Sequence, residues 1–290
     1  MRIAALAGLA LVVCGSVTVA TAAPERHALW SVKGKNNTVY LLGSVHFLNE
    51  SEQLPAVMDE AYRAAKALVM EIDLNGLDPA DMQQATLELG VLPPDKSLEQ
   101  QLGHESYAKV EAKAREIGVD PAMLAHFRPW LAAITLVQLH MTRIGLDPDS
   151  GVERRFAARA ARDGKPIRGL ETLREQLGML AALSDEQQRE FLLYSVEDTE
   201  RMTQEVDELL RAWRSGDTQS LAKLLAEGFE QYPDLYRPLT VDRNRRWMST
   251  LEQLLHERDD CLVIVGTLHL VGKDSVIDLL ERAGYRVVQR

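Results

Sequence analysis

Two short stretches of this chain share one pattern. Val39-Tyr40-Leu41-Leu42-Gly43-Ser44-Val45-His46 and Val263-Ile264-Val265-Gly266-Thr267-Leu268-His269 each run from apolar residues to a glycine, then two residues, then a histidine. Glycine permits a sharp turn or a close backbone approach. Each imidazole would therefore stand at the C-terminal mouth of a strand, where open parallel sheets place their sites. Glu71 is the third chemical feature. It sits in Ala67-Leu68-Val69-Met70-Glu71-Ile72-Asp73, and a carboxylate in so apolar a run needs a cation, a metal or a strong donor. Two histidines and a carboxylate are a recurrent ligand set for a catalytic divalent ion, with zinc, manganese or cobalt as the candidates.

Three further residues could join them. Glu171 follows a brief apolar segment and could add an acidic group or only a helix N-terminal charge. Arg245 or Arg243 could stabilise a developing oxyanion or bind a substrate carboxylate. The other histidines lie in helical segments or near the N-terminus and lack the strand–glycine context.

These groups can meet only if the strands that carry them share a sheet. Leu29–Lys33 and Thr38–Leu42 read as strands joined by Gly34-Lys35-Asn36-Asn37, a hairpin turn composition. A helix over Pro55–Lys66 and a strand over Ala67–Ile72 complete a βαβ order, which implies parallel pairing. From Asp78 to Arg162 the pattern is helical, broken at Pro93-Pro94, Asp120-Pro121 and Asp147-Pro148. Lys165–Leu170 is a brief strand candidate, and Thr172–Leu255 is helical again. Cys261–Val265 is a nearly pure β run, followed by a helix over Lys273–Ala283 and a strand over Tyr285–Gln289. The expected fold is α/β (α+β): a central, mostly parallel sheet from the N- and C-terminal parts, with a large helical lobe inserted over about 78–257. Residues 23–290 then form one domain. Trp130, Trp213 and Trp247 read as core.

Composition narrows the setting. The chain has 290 residues, 46% of them hydrophobic, and a formal charge of −10 without a basic run, which argues against nucleic acid or an anionic membrane as partner. Arg2, the apolar run Ile3–Val19 and Ala20-Thr21-Ala22 fit a cleaved signal peptide over residues 1–22, and hence a periplasmic or secreted protein. A lipoprotein reading would need Cys14, but Val13 before it is too bulky for that signal. Cys261 then remains without a disulfide partner and reads as a small buried hydrophobe. No further membrane-span candidate follows the leader.

The motifs together resemble the TraB/GumN (TraB-PrgY-GumN) family, which is related to the Tiki metalloproteases. The resemblance is carried by Leu41-Leu42-Gly43-Ser44-Val45-His46, Met70-Glu71-Ile72-Asp73 and Val265-Gly266-Thr267-Leu268-His269-Leu270-Val271-Gly272. Between them lie Arg128-Pro129-Trp130-Leu131, Gly164-Lys165-Pro166, Gly169-Leu170-Glu171-Thr172 with Glu175-Gln176-Leu177, and Arg243-Asn244-Arg245-Arg246-Trp247. It spans about Trp30 to Tyr285. It implies a sheet core with a helical insertion and a metal-dependent, protease-like activity resting on His46, His269 and Glu71. Two departures stand out. The family often has a small residue where Leu268 stands, and an Asp where Glu153 stands, which leaves the role of Glu153 as ligand or base open. The implied function is a Tiki-like hydrolase of peptide or amide bonds in the cell envelope, with Glu153 or Glu171 as general base. The alternative is a metal-, haem- or peptide-binding protein of the same fold. Its partner in either case is a peptide or a small molecule.

Overall fold

The computed structural model describes residues 25–197, 199–230 and 233–290, so the leader expected over residues 1–22 lies outside the described residues. Six strands form one sheet: β1 (Leu29–Lys33), β2 (Thr38–Ser44), β3 (Ala67–Met70), β4 (Ile167–Gly169), β5 (Cys261–Gly266) and β6 (Val287–Gln289). Their spatial order is β4-β3-β5-β2-β1-β6. β5 pairs in parallel with both β2 and β3, and β4 in parallel with β3, while β1 runs antiparallel to β2 and β6.

That order explains why the two ends of the sequence depend on each other. The crossover from β2 through the helix Ala56–Ala64 to β3 leaves a one-strand gap, and β5, from the far end of the chain, fills it. β5 is therefore the central strand, buried at every position but its last, as expected of an apolar run with sheet on both sides. The edge strands β4 and β6 are short and partly exposed, which limits unpaired edge. Cys261 opens β5 at 2% exposure, and burial pushes its thiol up to about 12, so it is an inert core residue.

The strand over residues 167–169 divides the helical part in two. Helices between Pro79 and Asp163 form the first half and helices between Leu173 and Leu254 the second. Part of this lobe has its own apolar cluster, around Leu98, Leu102, Val110, Leu124, Leu136 and Leu192. Trp130, Trp213 and Trp247 are fully buried, as the sequence implies. Trp213 also acts as a strut, because its indole N–H donates to the Gly43 carbonyl at 2.7 Å and so fixes the end of β2. Among the described residues no helix is long and apolar enough to cross a membrane.

Candidate functional site

The parallel strands β2, β3, β4 and β5 all end at one edge of the sheet, and the polar residues cluster there. The β3–β4 pairing continues past both strands: Leu170 N–H donates to Met70 O at 2.8 Å, and Glu171 N–H to Glu71 O at 2.9 Å. This extension sets the carboxylates of Glu71 and Glu171 side by side. On the other flank of Glu71, the Gly266 N–H at the end of β5 donates to Glu71 Oε1 at 2.8 Å. Between the two carboxylates lies Arg243, 7% exposed in the first turn of the helix Asp242–Leu254. Its guanidinium pairs with both Glu71 and Glu171. Gln176 Nε2 completes the set, donating to Glu71 at 3.1 Å and to Glu171 at 3.2 Å.

His269 closes this cluster from the β5 side. Its ring is 6% exposed and stacks obliquely on Trp247, with centroids 4.7 Å apart. Arg243 Nη1 lies 3.1 Å from His269 Nε2, and a guanidinium can only donate, so Nε2 is the bare, accepting nitrogen. Nδ1 then carries the proton and donates to Asn244 Oδ1 at 2.7 Å. Asn244 is held in that orientation by its own amide, which donates to the Asp274 carbonyl at 2.9 Å. Burial pushes His269 down to about 4, so the ring is neutral at pH 7. Burial also works against ionisation of Glu71. The charges of His269, Arg243 and His46 and the Gly266 N–H outweigh it and hold the carboxyl down at about 2, in the acid range where His269 is itself protonated.

His46 lies at the same edge in a different environment. Its side chain is 66% exposed, and Nδ1 contacts Glu153 Oε1 at 2.8 Å. Glu153 comes from the first turn of the helix Val152–Asp163 and also accepts from the Ser44 hydroxyl. The Glu153 charge draws the His46 pKa upward. Gly151 makes this contact possible, because a Cβ there would lie 2.2 Å from the His46 carbonyl oxygen. Gly43 has the same function between the two motifs: its Cβ would meet Thr267 Oγ1 at 2.8 Å, and Thr267 Oγ1 donates to Ser44 O at 2.8 Å. The two histidine-bearing turns are thus bonded directly to each other.

His46, Glu71, His269, Glu153 and Glu171 all lie at this edge. Arg245 does not: it is half-exposed and pairs with Asp274 at 3.4 Å, beside Arg282. Arg243 occupies the site instead. The buried stripe Trp247, Leu251 and Leu254, extended back by a turn, gives the reason, since it places 243 and 244 inward and 245 and 246 outward. That periodicity also identifies Asn244, which the motif reading passed over. Gln176 and Ser44 lie within the quoted motifs, which assign them no role.

The donor chemistry suits a divalent cation in three respects. His269 presents a bare nitrogen whose other nitrogen is fixed by a hydrogen-bond partner, as metal-bound imidazoles usually are. Glu71 Oε1 lies 4.0 Å from it, a span that two ligand bonds of about 2.1 Å can bridge. Glu153 Oε2 is buried with no hydrogen-bond partner. Among the described residues, however, no three such side chains are gathered closely enough to hold an ion as they stand. Arg243 already provides a positive charge against Glu71 and His269, so an ion and this guanidinium are alternatives on that part of the edge.

Fold and site together define an α/β protein whose buried ion cluster lies at the carboxyl ends of parallel strands. The model of the TraB/PrgY/gumN family matches residues 28–289, and the chain belongs to that family. It is 24% identical over 251 residues, 85% of this chain and 89% of the relative, to the uncharacterized protein YbaP of Escherichia coli (strain K12). The uncharacterized protein YbaP of Shigella flexneri matches to the same extent. No solved structure matches.

Proposed function

We propose that this chain is a metal-dependent hydrolase of peptide or amide bonds, similar to the Tiki proteases, exported to the periplasm or beyond by its apolar N-terminal segment. The supporting observation is the convergence at one sheet edge of an exposed His46–Glu153 pair with a buried, unprotonated His269 beside Glu71. His46, Glu71 and His269 would hold the ion. Once bound, a divalent ion of the zinc, manganese or cobalt kind lowers the pKa of a water and polarises a carbonyl.

The protein's own groups divide the remaining work. Asn244 fixes the His269 tautomer with Nε2 bare. In the absence of an ion, Arg243 and the Gly266 N–H keep Glu71 ionised, and an ion would take over the place of the guanidinium. Glu153 engages the His46 ring through Nδ1, which leaves Nε2 as the nitrogen that would take the ion. Of the two carboxylates considered as general base, Glu171 has both oxygens committed to Arg243 and is a weak proton acceptor. Glu153 keeps one oxygen without a donor and is the better one.

Metal content by mass spectrometry on the purified protein, followed by cleavage of a peptide library, tests this reading. Bound divalent metal, and cleavage lost in His46→Ala and Glu71→Gln, are the expected results. The second reading is a protein that binds metal, haem or peptide without turnover. It is favoured by Arg243, which already compensates Glu71, and a protein without cleavage activity would establish it.

A further inference from the structure

The 3₁₀ turn Thr267–His269 sends three successive side chains to three different places. Thr267 bonds to Ser44 and His269 to the Arg243 cluster. Leu268 lines a cavity of about 650 Å³. That volume is within the range of small-ligand pockets. The cavity lies among the helices Asp185–Glu197, Thr199–Ser215 and Thr218–Phe229. Leu209, Leu224, Leu235, Leu239 and Leu268 form part of its apolar surface. Its inner end adjoins the ion cluster through the backbone, since Leu268 precedes His269 and the Leu239 carbonyl accepts from Arg243 Nη1 at 3.4 Å.

Four glutamates, at 205, 208, 227 and 230, also line this cavity. Two of them lie in exposed ion pairs on their own helices, Glu208 with Arg211 at 4.0 Å and Glu227 with Lys223 at 3.6 Å, and such pairs hold their partners weakly. Among the described residues, no arginine or lysine lines the cavity itself. Apolar walls with acidic groups around them attract a cationic ligand with an apolar body.

We propose that this cavity is the specificity pocket for an apolar side chain of cationic peptides, and that Leu268 sets its depth beside the reacting bond. Its placement beside a reacting bond rests on the hydrolase reading, whereas binding in the cavity does not. Leu268 shortens the cavity at the end nearest His269, so this protein selects shorter apolar side chains than a relative with a small residue there.

The test uses fluorescence anisotropy of the fluorescein-labelled tetrapeptide Lys-Leu-Leu-Lys on the whole protein, with Glu-Leu-Leu-Glu as its counterpart. The lysine peptide should bind at least about tenfold more tightly, an advantage that shrinks with added salt. Leu224→Lys, which puts a charged chain into the cavity, should weaken binding by about tenfold or more. The double variant Glu208→Lys/Glu227→Lys leaves the apolar lining intact and should abolish the preference for the lysine peptide. In Leu268→Ala the preference should move by about tenfold toward a peptide with Phe in place of Leu. Absence of binding, equal binding of the two peptides, or binding unaffected by Leu224→Lys would overturn the pocket. An unchanged preference in Leu268→Ala would remove the role given to that residue. Mass analysis of the same peptides after incubation separates the two readings. Peptide bound with this pattern but left intact upholds the pocket and ends the hydrolase reading, whereas cleavage with no preference for cationic apolar peptides does the reverse.

Discussion

His46 and His269 each follow a glycine by three positions at the end of a parallel strand, yet one ring is two-thirds exposed and the other is buried. The register of β2 on β5 contributes to the difference. Ser44 pairs with Gly266, and Gly43 with Val265, so the two motifs are offset by one residue across the ladder. In a strand a one-residue shift exchanges the faces. After the offset the chains diverge: β5 tightens at once into a 3₁₀ turn that drives His269 onto Trp247, while β2 opens into a loop that leaves His46 against the helix Val152–Asp163. Two copies of one local pattern therefore give two kinds of histidine: one held neutral by burial, the other drawn toward its charged form by Glu153.

The largest effect should come from removing the cation behind the buried motif. Arg243→Ala leaves Glu71 and Glu171 facing each other without compensation, and loss of one partner of a buried ion pair costs about 3–5 kcal/mol. Urea denaturation should show that loss. Arg245→Ala, on the exposed side of the same helix, should stay within about 0.5 kcal/mol. Comparable losses in the two variants would mean that Arg243 does not hold the cluster.

Exchanging the histidines comes next. His269→Ala strips partners from Asn244 and from the Arg243 guanidinium, at about 1–3 kcal/mol. His46→Ala should cost less, about 1 kcal/mol or below because solvent screens the exposed ring, but lower any peptide cleavage by about 10²-fold or more. If His46→Ala destabilised the fold as much as His269→Ala, the contrast between the two motifs would be lost. Gly151→Ala is expected to fall in a similar range, about 1–3 kcal/mol, because its methyl group would collide with the His46 carbonyl. A fully stable Gly151→Ala protein would show that the helix can retreat from His46 at no cost.

The two rings should also respond to pH with opposite signs in protein stripped of metal. The folded pKa of His269 is lowered from 6.5 to about 4, so the unfolded chain takes up the proton first. Its stability contribution is complete above 6.5 and is lost as pH falls from there toward about 4. For His46 the folded pKa is raised, so its contribution is complete below 6.5 and is lost as pH rises past that value. Urea midpoints across this range should show a flatter acid limb in His269→Ala and, more weakly because solvent screens the exposed pair, a flatter alkaline limb in His46→Ala. Limbs unchanged in both variants would remove the electrostatic difference between the motifs.

Much of this arrangement can be read from the sequence, because its signals are local. Apolar runs of five or six residues ending in glycine mark β2 and β5 as buried parallel strands, and the βαβ order around Pro55–Lys66 implies the parallel sense of β2 and β3. An unshielded glutamate after Ala67-Leu68-Val69-Met70 marks itself as a group in need of a partner. Boundaries move by two or three residues, as with the strand ending at Met70 and the helix beginning at Val276.

What tertiary structure alone decides is which side chains answer those needs. Glu71 requires a positive charge, but the supplier comes from 172 positions away, and only the packing of the helix Asp242–Leu254 selects Arg243 over Arg245. Glu153 reaches His46 because Gly151 lets a helix touch the loop after β2, a close approach between segments that are neighbours only in the folded chain. Whether a histidine is buried or exposed follows from register and from what packs against it. A short motif specifies neither, since both depend on contacts that form only when the ends of the chain meet in one sheet.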